Sequence, residues 1–118
     1  MKGLKIKDAW LRLILSGQKT MEVRSLHFTV KGTRIALGNS STGNVEGYAT
    51  VADVIKIPYL QITSYENQHR ASRWLMQRYK EGAHLYGYVL RDVKEEKSPF
   101  PYPKGPGIGF YIRAEGTL

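Results

Sequence analysis

Apolar and polar positions change their period several times along the chain. Leu4 and Ile6 alternate with Lys5 and Lys7, so residues 3–7 predict a short strand. Asp8 is placed to cap a following helix, in which Trp10, Leu11, Leu13, Ile14 and Leu15 fill a broad apolar face up to Ser16. Gly17 suits the left-handed position that ends such a helix. Met21 and Val23 then alternate with Thr20, Glu22 and Arg24, which predicts a strand that sends its apolar pair into a core and its polar side chains to the other face. A polar loop over Ser25–Gly32 leads to a strand over Thr33–Asn39, and Gly38–Asn44 is a turn. The turn lacks the lysine and spacing of a phosphate-binding loop, so a plain hairpin connection is favoured over an anion cradle.

Val45–Ile57 predicts a long strand in which Gly47 and Ala49 permit close approach of another element, and Pro58 breaks it. In Tyr59–Gly82, Ala71, Trp74, Leu75 and Arg78 fall at helical spacing, with a start marked by Thr63 and Glu66 or by Asn67 and an end at Gly82. A strand follows over Ala83–Val93, then a charged and proline-rich surface loop over Lys94–Pro106. Gly107–Ala114, with Ile108, Phe110 and Ile112 alternating, predicts the last strand. Six strands and two helices predict one mainly-β α+β domain over residues 1–118, and a small barrel would remove the exposed edges of so many short strands.

Composition narrows the function classes. The absence of cysteine removes disulfides, thiolate zinc sites and cysteine nucleophiles, and fits a reducing, cytoplasmic setting. The N-terminus alternates charge with apolar residues, so no signal peptide is expected, and apolar runs fall far short of the roughly 20 residues that span a bilayer. A net charge of +8, from 18 lysines and arginines against 10 acidic residues, favours polyanion partners. Arg70, Arg73, Arg78 and Lys80 give the second helix a basic side that either tracks phosphates or is merely solvated. None of His27, His69 and His84 sits in a ligand-spaced motif, so no metal site is expected from histidine. The densest polar cluster is Gly17–Arg24, either a salt-bridged strand or a working site, with Lys19 also placed to satisfy carbonyls at the end of the first helix.

The order of these motifs resembles the ASCH domain family, a branch of the PUA-like β-barrels. The resemblance rests on Trp10 in the first helix, Gly17-Gln18-Lys19-Thr20-Met21-Glu22-Val23-Arg24, Lys31-Gly32 before Arg34-Ile35-Ala36-Leu37, and Gly47-Tyr48-Ala49-Thr50-Val51. Tyr102-Pro103-Lys104-Gly105 and Gly109-Phe110-Tyr111 match the family's last loop and strand. It implies a barrel with a cleft suited to single-stranded RNA or a nucleotide, lined by Lys19, Glu22 and Arg24, with Trp10, Met21 and Val23 in the core. In relatives with ribonuclease or nucleic-acid-binding activity, the matching roles would give Lys19 and Arg24 to phosphate. Glu22 would act as a general base or, with Glu66, help to hold a divalent cation. Nucleic-acid contacts would extend to Thr20, Arg70, Arg73 and Tyr88. Tyr86, Tyr88, Phe100 and Tyr102 are candidates to stack on bases, with core packing the alternative for each.

A second branch is similar to acetylcytidine amidohydrolases, which pair a lysine and a later glutamate, here Lys19 and Glu66, with a threonine nucleophile. Glu22 stands at the nucleophile's position, and a carboxylate cannot replace the attacking hydroxyl without changing the mechanism. A non-catalytic module that docks a protein partner is a third class.

Overall fold

The computed structural model describes residues 1–117; Leu118 lies outside the described residues. Strands β1 (Lys2–Ile6), β2 (Met21–Arg24), β3 (Arg34–Asn39), β4 (Asn44–Pro58), β5 (His84–Pro101) and β6 (Gly109–Tyr111) form one sheet in the order β2-β5-β4-β3-β1-β6. β1 and β3 run parallel and the other neighbours antiparallel, so the sheet is mixed. Helix α1 spans Asp8–Leu15, and a 3₁₀ segment over Tyr59–Tyr65 precedes α2 (Glu66–His69) and α3 (Ser72–Arg78). The fold is α+β and mostly β, as the patterning predicts. Among the described residues no helix is long and apolar enough to cross a membrane.

The small residues of β4 have a steric cause. A Cβ on Gly47 would stand 2.6 Å from Leu15 of α1 and 2.9 Å from the main-chain oxygen of Lys94 on β5. Only a bare Cα lets helix and strand close on β4 at this point. One core cluster, with Leu11, Ile14, Ile35, Leu37 and Val51, lies against α1, and a second, with Met21, Val23, Ile57, Ile62 and Leu75, lies against the 59–79 segment. Trp10 packs against both clusters, which places its ring at their junction.

Three predicted elements differ from those observed. The single helix expected over Tyr59–Gly82 is three short pieces, because Arg70 adopts a left-handed conformation with φ of 61° that turns the chain between α2 and α3. Neither Thr63 nor Asn67 caps it; no side chain caps α2 or α3 from the N-cap position. The surface loop expected over Lys94–Pro106 is strand as far as Pro101, since β5 pairs with β4 along its whole length, from Pro58 opposite His84 to Asn44 opposite Pro101. Irregularities in that pairing bend the two long strands together, which hides the strand in an alternation count. Asp8 is not the cap of α1 but its first residue, and its carboxylate accepts from Arg12 and Asn39.

Candidate functional site

The chain reverses tightly between α1 and β2. Gly17 takes a φ of +83°, and the Lys19 N–H donates to the Leu13 carbonyl at 3.0 Å, which turns the Lys19 side chain inward. Lys19 is only 2 % exposed. Its ammonium donates to the main-chain oxygen of His69, lies 3.5 Å from Glu22 Oε1 and stands 5.3 Å from the centre of the Trp10 ring. Burial pushes its pKa down, and the Glu22 carboxylate opposes that shift. The expected role of Lys19 at the end of α1 is therefore replaced by one at the end of α2.

Glu22, 6 % exposed, sits between two cations. Arg24 Nε donates to Glu22 Oε2 at 2.9 Å, Nη2 lies 2.8 Å from the same oxygen, and Nη2 also donates to the Lys5 carbonyl at 2.7 Å. Arg24 thus ties β2, one end of the sheet, to β1, which lies beyond β5, β4 and β3 in the pairing order. Lys19, Glu22 and Arg24 form a row of positive, negative and positive charge.

His69 holds the Lys19 end of this row. Its ring is fully buried, Nδ1 accepts the Ala71 N–H at 2.9 Å, and Nε2 lies 2.8 Å from the Ile62 carbonyl. An Nδ1 that accepts and an Nε2 that donates define a neutral imidazole, and burial pushes its pKa down accordingly.

This row is the floor of a cleft of about 510 Å³. Trp10 and Trp74 stand beside it edge to face, with ring centres 6.3 Å apart. At the rim, Lys7 Nζ lies 5.0 Å and the Arg78 guanidinium 5.4 Å from the centre of the Trp74 ring. Lys5 lines the cleft and pins the proline-rich loop by donating to Gly105 and Gly107 carbonyls at 2.8 and 3.0 Å.

Lys19, Glu22 and Arg24 are brought together as the sequence predicts, but the other predicted residues lie elsewhere. Thr20 is exposed and does not line the cleft. Arg70 donates to the Gln18 carbonyl at 3.1 Å, outside it, and Arg73 is exposed on the far side of its helix turn from the lining residues Trp74 and Arg78. Tyr88 is a correction: it is 0 % exposed, and its hydroxyl donates to Leu26 O at 2.6 Å and accepts from Phe28 N at 2.8 Å. With its ring in the core and its oxygen satisfied, it has no face to offer a base. Tyr102 likewise stacks on Phe110, with centres 4.5 Å apart.

Glu66 is the second correction. Its Oε1 accepts the Ser72 N–H at 3.0 Å, at the start of α3, and it does not line the cleft with Glu22. The shared-cation pair is not assembled, and among the described residues no three metal-binding side chains converge. The 39–44 turn spends its N–H groups internally, Ser41 N on Asn39 Oδ1 at 2.8 Å, Gly43 N on Asn39 O at 2.8 Å and Asn44 N on Thr42 Oγ1 at 3.2 Å, which agrees with a plain connection.

The residues missed are Lys7 and Trp74, with Trp10 assigned to the core alone and Arg78 to a general basic face. Their signal is in the spacing: Lys7 and Trp10 are three apart across the start of a helix, and Trp74 and Arg78 four apart on α3, so each indole shares a face with a cation.

A mostly β, mixed six-stranded sheet with short helices packed on it belongs to the PUA-like class of fold. The chain belongs to the ASCH domain family, whose model matches residues 4–97; roles in RNA binding have been proposed for that family. Among solved structures it is similar to the ASCH protein of Zymomonas mobilis, at 20 % identity and a TM-score of 0.79, covering 97 % of this chain and 88 % of that one. Two mutant forms of the same Zymomonas mobilis protein match at 19 % identity and a TM-score of 0.78, covering 97 % of this chain and 89 % or 91 % of theirs. At this identity the likeness is one of fold. A comparison with curated proteins returned no match.

Proposed function

We propose that this chain binds single-stranded RNA or a nucleotide in the cleft between β2, α1 and α3. The observation that carries the reading is the convergence of Trp10 and Trp74 with Lys7, Arg78 and the charged floor in one concavity of about 510 Å³, within the roughly 300–1,000 Å³ of small-ligand sites. Indole faces stack on bases without regard to sequence, at about 1–3 kcal/mol per base. Rim cations meet phosphate and release counterions, which makes such binding salt-dependent.

Binding is proposed without turnover. Cleavage by a pair of carboxylates would need Glu66 beside Glu22, and amide hydrolysis would need Thr20 in the cleft; Glu66 is engaged at α3 and Thr20 faces solvent.

The chain's two tryptophans both line the cleft, so intrinsic fluorescence reports its occupancy directly. Titration with a single-stranded RNA of about ten nucleotides is expected to quench that emission, with an affinity that falls steeply as salt is raised. RNA that binds by polarisation yet leaves the tryptophan emission unchanged would overturn the assignment.

A further inference from the structure

We propose that the floor of the cleft reads the imide edge of a pyrimidine, the carbonyl, N–H, carbonyl sequence of uracil and thymine; this rests on the nucleic-acid reading above. The floor has no room for a second strong negative charge. Lys19 and Arg24 are both committed to Glu22, at 3.5 and 2.8 Å, so a phosphate laid on them would also meet the carboxylate between them. A neutral ligand edge suits the floor, and phosphate belongs to the rim with the exposed Lys7 and Arg78.

The hydrogen-bonding capacity left over is specific. An ammonium has three N–H groups; that of Lys19 donates to His69 O and faces Glu22, which leaves one free. Glu22 Oε2 is taken by Arg24, whereas Oε1 has only the 3.5 Å contact to Lys19 and keeps lone-pair capacity for a further donor. Arg24 spends Nε and Nη2 on Glu22 and Lys5, and its Nη1 has no partner among the described residues. Lys19, Glu22 and Arg24 therefore offer donor, acceptor and donor in a row.

The complement of that row is acceptor, donor, acceptor. Uracil and thymine present it as O4, N3–H and O2. Cytosine presents donor, acceptor, acceptor; adenine offers a donor and an acceptor; guanine offers an acceptor and two donors. Each of these leaves a buried polar atom of the floor opposed or unpaired, and that penalty, more than the bonds gained, is what discriminates. The indoles of Trp10 and Trp74, carried by α1 and α3, supply the stacking surface beside the edge.

The test compares equal-length oligo(U), oligo(dT), oligo(C) and oligo(A) by tryptophan fluorescence, together with uridine monophosphate and its N3-methyl derivative, which keeps both carbonyls and lacks the donor. Oligo(U) is expected to bind roughly tenfold or more tighter than oligo(C) and oligo(A), in line with the discrimination of a good paired contact. N3-methylation is expected to abolish the nucleotide's advantage over cytidine monophosphate. Glu22→Gln, which can present either an acceptor or a donor, should bring the ratio of uracil to cytosine affinity close to one, whatever its effect on absolute affinity. Oligo(dT) equal to oligo(U) places recognition on the imide alone, and a weaker oligo(dT) adds the ribose hydroxyl to it; both outcomes support the proposal. Quenching by all four oligonucleotides with equal affinity would overturn the imide reading and leave the nucleic-acid reading standing. Quenching by none would overturn both.

Discussion

The ammonium of Lys19 donates to the main-chain carbonyl of His69, a residue 50 positions further along the chain. One buried side chain thereby links the α1–β2 turn to the break between α2 and α3. Two effects compete in its replacement by an apolar residue of similar length. Lys19→Met would relieve the desolvation that already pushes the lysine's pKa down. It would also leave the His69 carbonyl without its side-chain donor and Glu22 with one cation instead of two. Breaking one side of a buried charge cluster usually outweighs the relief, so a loss of about 2 kcal/mol is expected. Urea denaturation checks it, and a variant as stable as the parent would mean that desolvation dominates.

The imidazole of His69 makes this link sensitive to acid. Its folded pKa lies below the ordinary 6.5, because burial disfavours the charged ring. The unfolded chain therefore takes up a proton first. The stability that the neutral ring contributes is present in full above pH 6.5 and is lost as pH falls through the lower folded value. Protonation would place an N–H on Nδ1 facing the Ala71 N–H, two donors in opposition. Thermal midpoints measured from about pH 7.5 to about pH 5 should fall, with a slope of up to about 1.4 kcal/mol per pH unit at the steepest point. In His69→Gln the same window should be flatter, whatever its overall stability; an unchanged slope would assign the effect to other groups.

Where helix and strand press on β4, Gly47→Ala should destabilise the fold. The added methyl meets Leu15, which can move, and the Lys94 carbonyl, which belongs to the β5 backbone and cannot move alone. Overpacking of this kind costs about 1–3 kcal/mol. Gly17→Ala has open space around it, so its cost comes only from the left-handed φ of +83° and should be near 1 kcal/mol. Denaturant midpoints of the two variants separate steric from conformational penalties, and a smaller loss at Gly47 would contradict the packing described.

The floor of the site was legible in the sequence and its walls were not, for physical reasons. Alternation in Met21–Arg24 assigns Met21 and Val23 to the core correctly, and the tight turn at Gly17 delivers Lys19 beside Glu22 as local geometry requires. The same alternation predicts an outward Glu22, which is buried, because Lys19 and Arg24 neutralise it from both sides. Trp74 belongs to a helix of only seven residues whose start depends on the left-handed Arg70, and left-handed turns at non-glycine residues leave no pattern to read. Tyr88 was misplaced because both faces of β5 meet a core cluster, Tyr88 and Leu90 on one side and Leu85 and Val89 on the other, so alternation leaves no exposed face to read. Its hydroxyl is held by Leu26 and Phe28, partners that no local pattern announces. The extension of β5 to Pro101 was hidden by charged residues in Lys94–Lys97 and by Pro99, all consistent with loop until the partner strand is known.

Two arginines on α3 separate binding in the cleft from binding on a generally basic surface. Arg78 sits at the rim with its guanidinium 5.4 Å from the Trp74 ring, whereas Arg73 is exposed and lines no part of the cleft. Both carry the same charge, so a diffuse field would weaken equally on losing either. If phosphate is held at the rim, Arg78→Ala should lower affinity for single-stranded RNA about three- to tenfold and reduce the salt slope by about one counterion. Arg73→Ala should stay within about twofold at moderate salt, where an exposed charge that makes no direct contact with the phosphate is largely screened. Loss of the Trp74–Arg78 contact costs little stability, about 0.5–1 kcal/mol for an exposed cation beside an aromatic ring, so both variants should remain folded. Fluorescence titrations at several salt concentrations distinguish the cases. Equal losses for the two variants would move the binding surface from the cleft to the outer face of α3.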